Sequence, residues 1–93
     1  METTRPTFAI INVSHDLARG ETEYRGIPLT RNTIGVILVD REPVGLLTQT
    51  ETYTRRRWTV YSARFLDGSP IPNCTGRSHY TVCVRNLMQH FGA

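Results

Sequence analysis

The sequence contains no lysine, so every basic side chain apart from histidine is arginine. A planar guanidinium suits phosphate and other bidentate contacts better than an ammonium does. Codon bias in a GC-rich genome produces the same composition. Long apolar runs are missing too. No stretch approaches the roughly 20 residues that a membrane-spanning helix needs. The opening Met1-Glu2-Thr3-Thr4-Arg5-Pro6 lacks the apolar core of a secretory signal. The expectation is a cytoplasmic protein with no membrane partner. Cysteine is scarce, with only Cys74 and Cys83. Without a secretion signal, reduced thiols are the default. Nucleotide-binding fingerprints are absent. Gly26, Gly35 and Gly45 stand alone and read as turn or close-packing glycines.

Catalytic and metal-binding patterns are equally thin. His15-Asp16 puts an acid beside a base, but neighbours in sequence do not form a dyad and no nucleophile motif accompanies them. Cys74, His79, Cys83 and His90 are spaced C-x4-H-x3-C-x6-H, looser than the paired ligands of structural zinc sites. Cys83 also falls on an apolar helical stripe, where a thiol serves as a small hydrophobe. The chain therefore reads as a non-enzyme, with no catalytic residue, metal, cofactor or small-molecule substrate.

What is present organises the chain. Its 93 residues fit a single domain, with a flexible tail at 1–6, an N-terminal strand and loop at 7–32, and a β-β-β-α core at 33–91. Thr7–Val13 is rich in β-branched and aromatic residues and reads as a strand. Residues 14–23 are polar. They read as a surface loop, or as one helical turn capped by Ser14. Tyr24–Leu29 is a short edge strand, since Pro28 cannot donate to a ladder. Thr33–Val39 is apolar on both faces, as in a strand covered on both sides. Asp40–Pro43 is the turn, with the Asp40 carboxylate folded onto its own loop, and Val44–Thr50 runs back. Residues 51–57 are a polar connector ending in Arg55, Arg56 and Arg57.

Trp58–Leu66 is the third strand of this core. Period two divides it into Trp58, Val60, Ser62 and Arg64 on one face and Thr59, Tyr61, Ala63 and Phe65 on the other. Charge lies only in the first set, so Tyr61, Ala63 and Phe65 are expected to face the core, and Trp58, Ser62 and Arg64 to face outward. Asp67–Pro70 is a turn, followed by a crossing loop at 71–76. Tyr80, Cys83, Val84, Leu87, Met88 and Phe91 then recur at helical spacing, with Ser78 as N-cap and Gly92 as terminator. The fold expected is α+β: an antiparallel sheet of three to five strands with one C-terminal α-helix packed on one face.

Charge is unevenly distributed along this plan. Residues 1–54 hold five arginines against seven acids, whereas 55–93 hold six arginines against Asp67 alone. The candidate nucleic-acid-binding residues are Arg55, Arg56, Arg57, Trp58 and Arg64. Guanidinium groups beside an aromatic pair with phosphates and stack on bases, and phosphate neutralisation dominates such binding. A basic hairpin that merely solubilises the surface is the plainer reading. The β-β-β-α order of 33–91 resembles the DNA-binding domain of plant ethylene-response factors and the arm-site-binding domain of phage-type tyrosine recombinases. In those families a three-stranded sheet docks in the major groove with a helix behind it. The likeness is one of topology, carried by the hairpin at Asp40–Pro43, the Trp58-Thr59-Val60-Tyr61 strand and the closing helix. The plant family's strand and helix motifs are absent, and the strands before residue 33 are extra. It implies a small DNA-binding accessory or regulatory protein that uses an arginine-rich sheet face. The alternative is a small protein-binding inhibitor or adaptor, phage- or mobile-element-encoded, acting through an exposed strand or loop, or pairing as a homodimer through the Thr7–Val13 edge.

Overall fold

A computed structural model describes residues 5–53 and 56–93; Met1–Thr4 of the expected tail, and Arg55 of the basic triplet, lie outside the described residues. The architecture is α+β. Along the chain come β1 (Phe8–Asn12), α1 (Ser14–Ala18), β2 (Glu23–Tyr24), β3 (Ile27–Pro28), β4 (Thr33–Val39), β5 (Glu42–Tyr53), β6 (Arg57–Phe65) and α2 (Tyr80–His90). β1, β4, β5 and β6 form one antiparallel sheet in that spatial order, and β2 and β3 form a separate two-stranded ribbon.

Directly opposed residues of an antiparallel pair share a face, which fixes the two sides of the sheet. On one side Ile37, Leu47 and Ala63 are fully buried beneath Cys83 and Leu87 of α2 and Ile71 and Cys74 of the crossing loop. Tyr61 and Phe65 pack against this cluster, so the expected inward face of the third core strand is the observed one. On the other side Val36 and Leu38 are buried with Val13 under Leu17, Tyr24 and Leu29. The two-sided apolar run of β4 is thus covered twice, by α2 and by the segment at 14–32. That second cover ends before β6, and the outer face of β5 and β6 carries Thr48, Thr50, Thr52, Trp58, Val60, Ser62 and Arg64.

Several local expectations give way. Residues 14–18 form a helical turn rather than a loop; its N-cap is Val13, and the Ser14 N–H donates to Asn12 Oδ1. Tyr24–Leu29 is not one edge strand: the chain reverses at Arg25-Gly26, both at positive φ, so β2 and β3 pair with each other. The turn after β4 is tighter than Asp40–Pro43. Asp40 and Arg41 both adopt positive φ, as a two-residue hairpin turn of matching twist demands, and Glu42 already pairs with Val39. The Asp40 carboxylate accepts from the Thr7 N–H at 2.9 Å instead of closing its own loop, tying the start of β1 to the turn. Pro43 is held at a bulge: between the Ile37–Gly45 and Leu38–Pro43 pairs, Val44 is the extra residue. Ser78 does not cap α2. His79 occupies the N-cap and makes no side-chain cap bond. Gly92 ends the helix as expected, at φ 75°, with the Gly92 N–H donating to the Gln89 carbonyl and the Ala93 N–H to that of Met88.

The largest departure concerns the expected connector at 51–57, of which Glu51–Tyr53 and Arg57 are strand. β5 continues to Tyr53 and β6 begins at Arg57, with the two paired all the way. β4 meets β5 no further along than the Thr33–Thr48 pair. Thr50–Tyr53 and Arg57–Val60 therefore project beyond the sheet as a two-stranded arm, roughly 13 Å long at the usual rise per residue. The molecule's long axis is correspondingly drawn out, at 53 Å against 30 and 21 Å. Nearer the core, β6 is not a bare edge. The chain from Ser69 to Arg77 runs beside it, with the Tyr61, Ala63 and Phe65 N–H groups donating to the carbonyls of Arg77, Cys74 and Ser69 at 2.7–2.8 Å.

Candidate nucleic-acid interface

The arm carries most of the residues singled out in the sequence, but not as one face. Trp58 opposes Thr52 on the side away from α2 and is 42% exposed. The Arg56 guanidinium lies over its ring, 4.3 Å from the centroid, a stacking contact of the kind that holds a cation at a fixed place. Arg57 belongs to the opposite face and pairs with the Glu51 carboxylate diagonally across the ladder. Its side chain remains 66% exposed, so the pair is weak.

Arg64 shares a face with Trp58 but lies at the other end of β6, about 20 Å away at the strand's rise per residue. There its Nη1 donates to the Gly68 carbonyl at 3.1 Å and braces the turn after β6. Between the two, the outward surface is hydroxyl-rich rather than basic: Thr48, Thr50, Thr52 and Ser62. Thr48 Oγ1 donates to the Ser62 carbonyl, and Ser62 Oγ accepts from the Gly76 N–H. The expected arginine-rich sheet face is thus replaced by a basic, aromatic arm tip and one distant arginine. The reason is geometric. Side chains alternate across a strand, so consecutive arginines cannot share a face.

Sequence reasoning missed the arm itself and Arg31, which with Asn32, Ile34, Gln49, Thr50 and Glu51 lines an open groove at the arm's base. The signal available was Thr48-x-Thr50-x-Thr52, a period-two pattern that carries β5 past Thr50.

The other candidate sets dissolve. Cys74 and Cys83 are free and fully buried, each sulfur about 4 Å from the other residue's carbonyl oxygen. Burial pushes the Cys74 thiol up, and burial with the neighbouring Cys74 pushes Cys83 up to about 11. Both behave as core atoms. His90 packs edge-on against Phe91 and beside Phe65, and His79 stands at the N-cap position of α2 without a side-chain cap bond. Asp16 is engaged by Arg19 rather than by His15. Among the described residues no helix is long and apolar enough to cross a membrane. No family model, no curated protein and no solved structure matches the chain.

Proposed function

We propose that the protein is a small, non-enzymatic DNA-binding accessory or regulatory protein that reaches the duplex with the β5–β6 arm. The observation that carries this reading is the projecting ribbon with Arg56 stacked on an exposed Trp58 near its tip. The B-DNA major groove, about 12 Å wide, admits a two-stranded β-ribbon. Arg56 and Arg57 would neutralise phosphates, and Trp58 would stack on or wedge against a base. The Arg57–Glu51 pair is exposed and worth at most about 1 kcal/mol, so a phosphate can replace the carboxylate at little cost. Arg64 would add a contact only to a duplex lying along the whole of β6. This use of a ribbon differs from that of the sheet-plus-helix families it resembles in topology, which dock the flat of a three-stranded sheet.

Trp58 is the only tryptophan, so its fluorescence reports the arm directly. Titration with duplex DNA at several salt concentrations should quench or shift its emission. Changing Arg56→Ala together with Arg57→Ala should weaken binding. It should also flatten the plot of log K against log salt by about 1.8, the equivalent of two lost phosphate contacts. Unaltered affinity of the double variant at low salt would rule the proposal out.

A further inference from the structure

The opposite margin of the sheet carries a second, independent feature. The Asp40 N–H donates to the Thr7 carbonyl at 2.8 Å, and the Val13 N–H to that of Ile34 at 3.1 Å. Antiparallel neighbours alternate between those that exchange backbone hydrogen bonds and those that do not. Thr7, Ala9, Ile11 and Val13 therefore aim their N–H and C=O groups at β4. Phe8, Ile10 and Asn12 aim theirs the other way, off the terminal edge of the sheet. Proteins ordinarily blunt such an edge with charges, prolines or bulges. None of these occurs between Phe8 and Asn12. Pro6, which would be the next outward residue, has no N–H to offer and marks where the open edge stops. At the other end α1 begins at Ser14.

We propose that this edge pairs with the same edge of a second copy of the chain, antiparallel, about a two-fold axis at Ile10. Only outward residues can bond across the junction, and centring on Ile10 is the one register that uses all of them. Phe8 then exchanges backbone hydrogen bonds with Asn12 of the second copy, Ile10 with its own equivalent, and Asn12 with Phe8. A centre at Ala9 sets Asn12 against Pro6, and a centre at Ile11 sets Phe8 against the helical Ser14.

The same register continues both hydrophobic layers. Phe8 and Ile10, half-buried at the margin of the helix-covered core, gain apolar cover on one side of the joined sheet. On the other, Ile11, 38% exposed, lies opposite Ala9. The charge-free edge brings no like charges together. The arms, on β5 and β6 at the far side of each sheet, stay free, so pairing is independent of DNA binding. Five residues of edge fall short of the roughly 1,200 Å² of a standard interface, and the dimer is expected to dissociate on dilution.

Sedimentation velocity over a dilution series, with amide exchange followed by NMR at both ends of that series, tests this. The expected result is a monomer–dimer equilibrium in which the Phe8, Ile10 and Asn12 amides gain protection only when concentrated. The Ala9 and Ile11 amides, bonded to β4, are protected throughout. Ile11→Lys, at an exposed side chain outside both buried clusters, should weaken dimerisation by at least about tenfold. Three results would each overturn the proposal: a monomer at the highest soluble concentration, a dimer indifferent to Ile11→Lys, or fast exchange of Phe8, Ile10 and Asn12 in the concentrated sample. Should the lysine variant fail to fold, the exchange pattern of the unaltered chain decides alone.

Discussion

Gly45→Ala offers a sharp test of the strand register on which the orientation of Trp58 depends. Gly45 opposes Phe65 across β5 and β6. A Cβ at this position would stand 2.5 Å from the Arg64 carbonyl oxygen and 3.3 Å from Ile71 Cδ1. The first obstacle is backbone and cannot rotate aside. The second belongs to a fully buried side chain. Relief requires β6 to move off β5, and β6 is itself bonded to the chain at 69–77. Overpacking of this kind costs about 1–3 kcal/mol. Restricting the unfolded chain returns about 0.4–1 kcal/mol. Taking the middle of each range, the net loss is about 1.3 kcal/mol, or a fall in Tm of about 5–10 °C for a domain of this size. Thermal unfolding followed by far-UV circular dichroism, with urea midpoints as a second measure, reads this out. Gly35→Ala is the control. Its Cβ would meet Ile10 Cγ2 at 2.6 Å, a side chain on the terminal strand, so part of the clash can relax and the loss should be smaller. A Gly45→Ala protein as stable as its parent would mean that these strands do not approach as described. The assignment of Trp58 to the outer face would then lose its basis.

Two further outcomes follow from the geometry. Arg41 holds φ at 68° in the hairpin turn, a conformation costly for a side chain with a Cβ. Arg25 Nη1 donates to its backbone carbonyl at 2.9 Å, not to its side chain. Arg41→Gly should therefore raise stability by about 1 kcal/mol, seen as a higher urea midpoint, and a lower midpoint would contradict the turn assignment. Cys83 is pushed from an ordinary thiol value of 9.0 to about 11. The folded state thus holds this proton more tightly than the unfolded chain does. Its contribution to stability is intact below about 9 and is lost as pH rises from there toward 11. Urea midpoints measured across that range should fall, and fall less steeply in Cys83→Ala; identical slopes would show that the thiol is not sheltered.

Much of the fold is legible in the sequence because its signals are local. The apolar run Thr33–Val39 and the return from Val44 specify a hairpin, since burial on both faces leaves no polar alternation. The single charge among Trp58, Val60, Ser62 and Arg64 is enough to choose the wet face of β6, because a strand has only two faces. The helical spacing from Tyr80 to Phe91 marks α2, and Gly92 marks its end, because only glycine readily accepts the backbone that closes the helix.

Tertiary structure decided the rest. The exposed arm residues Thr50, Glu51, Thr52 and Arg57 carry no apolar signature, so apart from the alternating threonines they read as a connector. That they pair as strands follows from β5 outlasting β4. The placement of β1 beside β4, with its outward amides left over, depends on contacts across some 30 residues of chain. No local pattern encodes such contacts. The arginines obey the same division. Sequence puts Arg56, Arg57 and Arg64 near one tryptophan in the chain, but pleating and partner choice separate them. One is stacked on the indole, one is paired with Glu51 on the opposite face, and one is anchored to the Gly68 carbonyl far along the strand. Periodicity acts over a few residues and is written in the chain itself; where a charge points, and what it meets, is set by which distant backbone runs alongside.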